Sequence, residues 1–487
     1  IGVRLVGSEM CIRDSFERAD VHSIRTQEDL NNTRRPLLKS EVSGKTFGTS
    51  AGGKGLNQSV AAALLLKRTR ESAPASLSID LPTVYMIGAV GKDSNGQELK
   101  KELIDAGATV DLVLEHSNVP SGVAIIMNSI ESKERVMMVR VDGANSLLRQ
   151  EHVFKAFENL VERHGLDGLR GGVLCVQSEL KLQTNLAALA RAQALGMTTI
   201  VRPSAELMGE VVAANADYLS LADVICAQDD EVKKVAEKIA IEKTWDLEEY
   251  KNVMNGLVTE GYNGTSPESN TLSKKLDVVE RWRDELIALA KAGGMIARFG
   301  VRHVITLLCH KDKQEYQGFG GCVVVSKYRL PLLDIPEGLL KSRWRCKLYP
   351  TPDGDNRMLV LETPPNLNRV KDRTGAIDAF IGSLALQMTE SLRKVFDFSN
   401  QILNRLPLAC AIASLSLRYD GAANAYKQVF ESTRDEEPKA QPQKASEISS
   451  TMAEHTKHGG QDDNHDIDSD FELNKIVERY ITNYGRT

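Results

Sequence analysis

Two stretches of the sequence combine residues whose types and spacing could do chemistry. In Ala51-Gly52-Gly53-Lys54-Gly55-Leu56-Asn57-Gln58, glycines stand directly before Ser59-Val60-Ala61-Ala62-Ala63-Leu64-Leu65-Leu66, a strong helix former. Glycines at a helix start let the backbone approach a ligand closely and expose N–H groups to it. Lys54 and Asn57 add side-chain donors suited to hydroxyl groups. Gly48 to Lys54 also has the spacing of a phosphate-binding P-loop, but Gly55 stands where that loop needs Ser or Thr to hold Mg²⁺. A ligand loop or a plain glycine turn remain as readings.

The second stretch is Val370-Lys371-Asp372-Arg373-Thr374-Gly375-Ala376-Ile377-Asp378-Ala379-Phe380-Ile381-Gly382. Small residues and an Asp open a helical run here. First-turn N–H groups have no partner within the helix and suit a phosphoryl group, while a carboxylate one turn inside can take a proton from an attacking hydroxyl. By itself, Asp378 fits equally well as a carboxylate that complements the helix dipole.

The surrounding pattern shows what would hold these stretches. Apolar runs with strand character occur at Thr83–Val90, Gly122–Asn128, Arg135–Val141, Gly172–Gln177, Thr198–Val201, Asp223–Cys226 and Val301–Leu308. Helical periods separate them at Asn57–Lys67, Gly96–Ala106, Leu182–Leu195, Asp277–Ala297 and Ala376–Glu390. Such alternation predicts an α/β fold with a mostly parallel sheet and helices on both faces. The two runs within Gly122–Val141 flank a polar turn and predict a hairpin in a small separate sheet.

Residues 1–33 are left unassigned, because Leu5 to Asp14 reads as a translated adapter and the segment as a transcript artefact. One domain is expected over 34–431, with an insertion at about 241–275 that includes the loop-like Gly261–Ser273. From 432 to 487 the composition turns acidic and polar, predicting a disordered tail.

A net charge of -5 offers no general polyanion surface, which speaks against nucleic acid as a partner. The seven cysteines form no C-x-x-C pair, as in a reduced intracellular protein. No apolar run reaches the ~20 residues that span a bilayer. A cytoplasmic, or alternatively nuclear, protein with no membrane partner is expected.

Taken together, G-G-K-G-x-N-Q at Gly52–Gln58 and D-x-T-G-A-x-D at Asp372–Asp378 resemble the ribokinase (PfkB-type) carbohydrate kinase family. Further similarities run in order between them: Ile87–Gly96, Pro120–Ala124 with Gly143–Asn145, Gln177–Glu179, Gln228–Glu231 and Tyr419–Ala422. The resemblance covers about 34–426 and implies a three-layer α/β/α sandwich with a small β lid.

It also implies a division of labour. Gly53, Lys54, Gly55, Leu56, Asn57 and Glu179 would hold the sugar, with Asp378 as general base. Gly375, Ala376 and Ile377 would form the anion hole. Gln228, Glu231, Thr306, Leu307, Leu308, Cys309, His310, Lys311, Ile377 and Cys410 would meet ATP and its Mg²⁺. Asp372, Thr374, Ser416, Tyr419 and Gly421 would bind K⁺. The chain departs from the family at Ile377, at Gln228 in place of Asn, and at Thr306–Lys311, where the glycines of T-L-G-x-x-G are gone. The family's upstream N-x-D segment has no counterpart that can be placed.

The implied activity is ATP-dependent phosphorylation of D-ribose at O5, in a homodimer built through the lid. The alternatives are a kinase for another pentose or nucleoside, and a sugar- or nucleoside-binding paralogue with weak or no kinase activity.

Overall fold

The computed structural model describes residues 2–6, 9–16, 44–72, 81–129, 135–141, 143–213, 218–242, 288–289, 291–310, 318–326, 345–350, 357–362, 375–395, 402–419 and 422–432. Its strands are β1 (Gly2–Val6), β2 (Glu9–Phe16), β3 (Gly44–Gly52), β4 (Thr83–Gly91), β5 (Val113–His116), β6 (Val123–Ser129), β7 (Arg135–Val141), β8 (Val173–Gln177), β9 (Thr198–Arg202), β10 (Val224–Gln228), β11 (His303–His310), β12 (Gly318–Ser326), β13 (Arg345–Pro350) and β14 (Arg357–Glu362). The named helices are α1 (Lys54–Ser72), α2 (Ser94–Ala106), α3 (Gln150–His164), α4 (Leu182–Ala194), α5 (Ala205–Ala213), α6 (Asp229–Glu242), α7 (Ala376–Met388), α8 (Glu390–Val395), α9 (Leu406–Ser416) and α10 (Ala422–Ser432).

Ten strands form the main sheet in the order β13-β14-β12-β11-β10-β9-β8-β1-β4-β5. Pairing is parallel from β11 through β5 and antiparallel from β11 to β13. Both faces of the central strands are covered, which is why these strands are apolar throughout instead of alternating with polar residues. Val173, Cys175, Ile200, Val224, Cys226, Ile305 and Leu307 join a core with α1, α2, α7, α9 and α10. Their neighbours Leu174, Val176, Val201, Ile225, Ala227 and Val304 join a second core with α3, α4, α5 and α6. Helix, sheet, helix: the expected three layers are present.

The predicted hairpin is β6 and β7, in a separate four-stranded sheet of order β3-β2-β6-β7. Asp93 ties this lid to the main sheet. One carboxylate oxygen caps α2 at the Gly96 N–H (2.7 Å) and accepts from Ser121 Oγ (2.7 Å), and the other accepts from the Ser121 N–H (2.8 Å). These bonds hold the Asp93 carboxyl below its ordinary pKa although burial works the other way.

The treatment of residues 1–33 as lying outside the fold needs correction. Gly2–Val6 sits between β8 and β4, with Val3 opposite both Val173 and Val84, and Glu9–Phe16 joins the lid between β3 and β6. A short strand such as Gly-Val-Arg-Leu-Val is what a sheet covered on both faces accepts. The insertion beyond Glu242, the tail after Ser432 and most of the predicted helix at Asp277–Ala297 lie outside the described residues.

Candidate active site

The site forms where α1 crosses α7. Their backbones meet at Gly382, where a Cβ would stand 2.3 Å from the Gln58 carbonyl oxygen and 3.1 Å from Ala61 Cβ. Any side chain at 382 would push the helices apart. This contact sets the first turn of α1 beside the first turn of α7, although some 320 residues separate them in the chain.

The lid strand β3 runs into α1 through one residue, Gly53, at φ 94°. The helix therefore starts at Lys54, three residues earlier than the sequence suggests. Gly48–Ser50 are paired strand residues opposite Arg13–Cys11, so no phosphate-wrapping loop exists there. Lys54 and Asn57, one turn apart, are held at the helix start by the Asn57 N–H bond to the Gly53 carbonyl (2.9 Å).

At the start of α7, Gly375 occupies the left-handed region at φ 85°, with Ala422 and Tyr426 of α10 packed against it. The helical ladder begins with the Ala379 N–H donating to the Gly375 carbonyl (2.8 Å). The N–H groups of Ala376, Ile377 and Asp378 thus lie outside that ladder. Asp378 is buried at 3% exposure, so a carboxylate here needs partners. Gln58 Nε2 donates to Oδ1 (2.9 Å), and Asn57 Nδ2 lies 3.4 Å from Oδ2. Gln58 is itself oriented by Gln177 Nε2, which donates to its Oε1 (2.7 Å).

A cation completes the cluster. Arg202, the last residue of β9, pairs through Nη1 with Asp378 Oδ1, and its Nη2 lies 4.0 Å from Glu231 Oε1. Burial opposes the charge on Arg202, but Asp378, then Glu231 and Glu179, outweigh it and hold the guanidinium above its ordinary pKa. Lys54 forms an ion pair with Glu179 beside this group. Buried atoms without a hydrogen-bond partner include Asn57 Oδ1, Gln177 Oε1 and Arg202 Nε. The two unpartnered acceptors suit a ligand with hydroxyl groups to donate, and the unpartnered Arg202 donor suits a ligand oxygen.

The structure therefore brings together Lys54, Asn57, Glu179, Asp378 and Glu231 from the residues expected in the sequence. It adds Gln58, Gln177 and Arg202, which sequence reasoning passed over as site residues. Gly55 and Leu56 are buried within the first turn of α1. Gln228 and Glu231 occupy the end of β10 and the start of α6, where the Glu231 carboxylate accepts the Gln228 N–H (3.0 Å).

Other expected residues lie in different surroundings. Thr306 to His310 were expected to form a nucleotide loop, but they continue β11 and pair with β12 across a register shift at Leu308/Cys309. Thr306, Leu307 and Leu308 are buried. With no glycine to break the run, the ladder simply extends. Cys410 is fully buried, its Sγ 3.9 Å from Cys322 Sγ, and burial pushes its thiol pKa up. Ser416 is buried with its hydroxyl donated to the Ala413 carbonyl (2.8 Å), and Tyr419 is half-buried. Lys311, Asp372, Thr374 and Gly421 lie outside the described residues. Among the described residues no three His, Cys, Asp or Glu side chains form a metal cluster, and no helix is long and apolar enough to cross a membrane.

A three-layer α/β/α sandwich with a β lid, and a buried aspartate opening a helix beside a glycine-led helix, defines the ribokinase-like class of carbohydrate kinases. The model of the pfkB family carbohydrate kinases matches residues 24–266, about half of the chain. The chain belongs to this family. Ribokinase of Arabidopsis thaliana is 28% identical over 171 residues (34% of this chain, 38% of the relative), and that of Schizosaccharomyces pombe is 32% identical over 158 residues (32% and 43%). The chain thus aligns with about two-fifths of the length of these curated relatives.

Two solved structures share the fold. The Arabidopsis thaliana ribokinase complexed with ribose and ATP superposes with TM-score 0.50 at 18% identity, covering 88% of this chain and 97% of that one. Anopheles gambiae adenosine kinase gives TM-score 0.53 at 14% identity, covering 87% and 97%. The family match ends before Asp378; the crossing of α1 and α7 is what joins that residue to the matched part.

Proposed function

We propose that the protein transfers the γ-phosphoryl group of ATP to O5 of D-ribose, with Asp378 as general base. The observation that carries this reading is the buried Asp378 carboxylate, one turn into α7 and held by Asn57 and Gln58 of the G-G-K-G-x-N-Q helix. Lys54, Asn57 and Glu179 hold sugar hydroxyls and place one of them against Asp378. The Asp378 carboxylate takes the hydroxyl proton as the oxygen attacks phosphorus. The N–H groups of Ala376, Ile377 and Asp378, with Gly375, face the charge that builds on the transferring oxygens. The lid sheet closes over the sugar and excludes water that would otherwise hydrolyse ATP.

Mg²⁺ bound with ATP would supply neutralisation of phosphate charge. Glu231, in a first helical turn that also carries Asp229 and Asp230, would suit an ion that keeps its waters and binds mainly through substrate phosphates. By the family resemblance Asp372, Thr374, Ser416, Tyr419 and Gly421 would hold K⁺, and of these Ser416 and Tyr419 are among the described residues.

A sugar panel tests the reading. With Mg²⁺, ATP and K⁺ present, ADP release should depend on D-ribose and exceed that with hexoses or adenosine. Ribose binding without ADP release would point instead to a sugar-binding paralogue, a reading that the glycine-free Thr306–His310 strand would favour. Lys54→Met should raise the sugar KM by roughly 10- to 100-fold with little change in nucleotide KM, because Glu179 loses its cation where sugar hydroxyls bind. Steady-state kinetics with each substrate varied in turn would show the split.

A further inference from the structure

Arg202 has no part in the reaction described so far, yet it touches the proposed base. It ends β9, at the carboxyl edge of the parallel strands, where α/β sheets collect their ligands. Nη1 is on Asp378 Oδ1, Nη2 lies 4.0 Å from Glu231 Oε1, and Nε is buried without a partner. As a stability device this arrangement is poor. Desolvating an arginine and two carboxylates opposes folding, and a buried donor without a partner opposes it further. An apolar side chain at the strand end would avoid both.

Charge supplies a reason for it. A carboxylate base beside a transferring phosphoryl group repels the very group it must help to move. Among the described residues, Arg202 is the cation in contact with Asp378, while Lys54 is engaged by Glu179. Its fork has donors to spare: with Nη1 on Asp378, the buried Nε–H has no partner and Nη2 has only Glu231 at 4.0 Å, so this edge keeps donors that phosphoryl oxygens would take once bound.

We propose that Arg202 is a catalytic residue that bridges the Asp378 carboxylate to the transferring phosphoryl group. The proposal rests on the kinase reading given above. In the step, the bond from sugar O5 to Pγ forms and the bond from Pγ to the bridging oxygen breaks. The sugar hydroxyl proton passes to Asp378, and the electron pair of the broken bond leaves on the ADP β-phosphate. Arg202 neither gives nor takes a proton; it neutralises charge on the equatorial oxygens, which are held more tightly as that charge grows.

The test compares Arg202→Gln, Arg202→Lys and Arg202→Ala with the full-length wild type. Arg202→Gln should lose on the order of 10²–10³-fold in kcat while sugar KM and ADP affinity stay within about threefold, and Arg202→Lys should lose less. Guanidinium ion should restore turnover of Arg202→Ala by tenfold or more, whereas neutral urea of similar shape should not. ADP with aluminium fluoride, a mimic of the transferring group, should bind the wild type far more tightly than ADP does, and Arg202→Gln should lose that advantage. Thermal melting identifies variants that fail to fold, for which the guanidinium rescue of Arg202→Ala is the deciding readout.

Turnover of Arg202→Gln within threefold of wild type would overturn the proposal. So would a loss confined to sugar KM, or equal effects of guanidinium and urea. Those results leave wild-type turnover and its dependence on Asp378 intact. A wild type without turnover or aluminium fluoride binding defeats the kinase reading itself, and this proposal with it.

Discussion

Asp378→Asn is expected to lower kcat by on the order of 10²–10⁴-fold while sugar binding survives. The amide keeps the shape of the side chain but cannot accept the proton of the attacking hydroxyl. Its neighbours change as well: an oxygen in the place of Oδ1 still accepts from Gln58 and Arg202, but Arg202 loses the charge of its nearest carboxylate and Asn57 Nδ2 then faces a donor in the place of Oδ2. Breaking a buried ion pair in this way typically costs about 3–5 kcal/mol, so the variant should also melt at a lower temperature. Asp378→Ala removes the carboxylate and the bulk together and should show a similar loss of kcat. Turnover that survives either change would remove Asp378 from the role of base. Kinetics and melting curves measured on the same preparations separate chemistry from folding.

Gly375→Ala is expected to damage both folding and catalysis, through geometry alone. At φ 85° a Cβ is strained, and here it would also stand 2.2 Å from Ala422 Cβ, 2.5 Å from Tyr426 Oη and 3.0 Å from Ala422 Cα. Left-handed strain of about 1–2 kcal/mol and overpacking of about 1–3 kcal/mol add to a loss of roughly 2–5 kcal/mol. Either α10 moves away or the first turn of α7 does. If α7 shifts by about an ångström, the Asp378 carboxylate and the Ala376–Asp378 N–H groups leave their positions, a displacement that costs about 10²-fold in rate. Adding Ala422→Gly should recover part of the stability, because it removes the closest contact. An unchanged melting temperature in Gly375→Ala would contradict the packing described at this junction.

The parts of this architecture visible in the sequence are those with strong local signals. The central strands read clearly because covering both faces of a parallel sheet demands unbroken apolar runs, as in Val173–Gln177 and Thr198–Val201. Lys54, Asn57 and Asp378 stand out because glycines and small residues cluster beside them. Helix α9 was missed for the opposite reason: all of Leu406–Ser416 is buried, so no polar face marks a helical period. Strand β13 hid within a stretch that includes Arg343, Arg345 and Lys347 and reads as solvated charge.

Arg202 escaped because a single arginine before Pro203 resembles the polar end of any strand. The available signal was position: the residue terminates a buried parallel strand on the edge where ligands gather. Gln58 and Gln177 fall inside family-like segments, but their bonds to each other and to Asp378 were not legible there, since those partners lie 119 and 320 residues away. Thr306–His310 shows the reverse case, in which family-based expectation named a loop while the loss of its glycines already favoured a continuing strand.

The most direct measurement is the proton-coupled ³¹P spectrum of the product formed from ATP and D-ribose by the full-length protein with Mg²⁺ and K⁺. Transfer to O5 joins phosphorus through oxygen to a carbon that bears two protons, so the account predicts a new phosphate-ester signal split into a triplet, which Asp378→Asn forms on the order of 10²–10⁴-fold more slowly. A doublet, from an ester at a carbon bearing one proton, or no ester at all while ribose is bound, would contradict it.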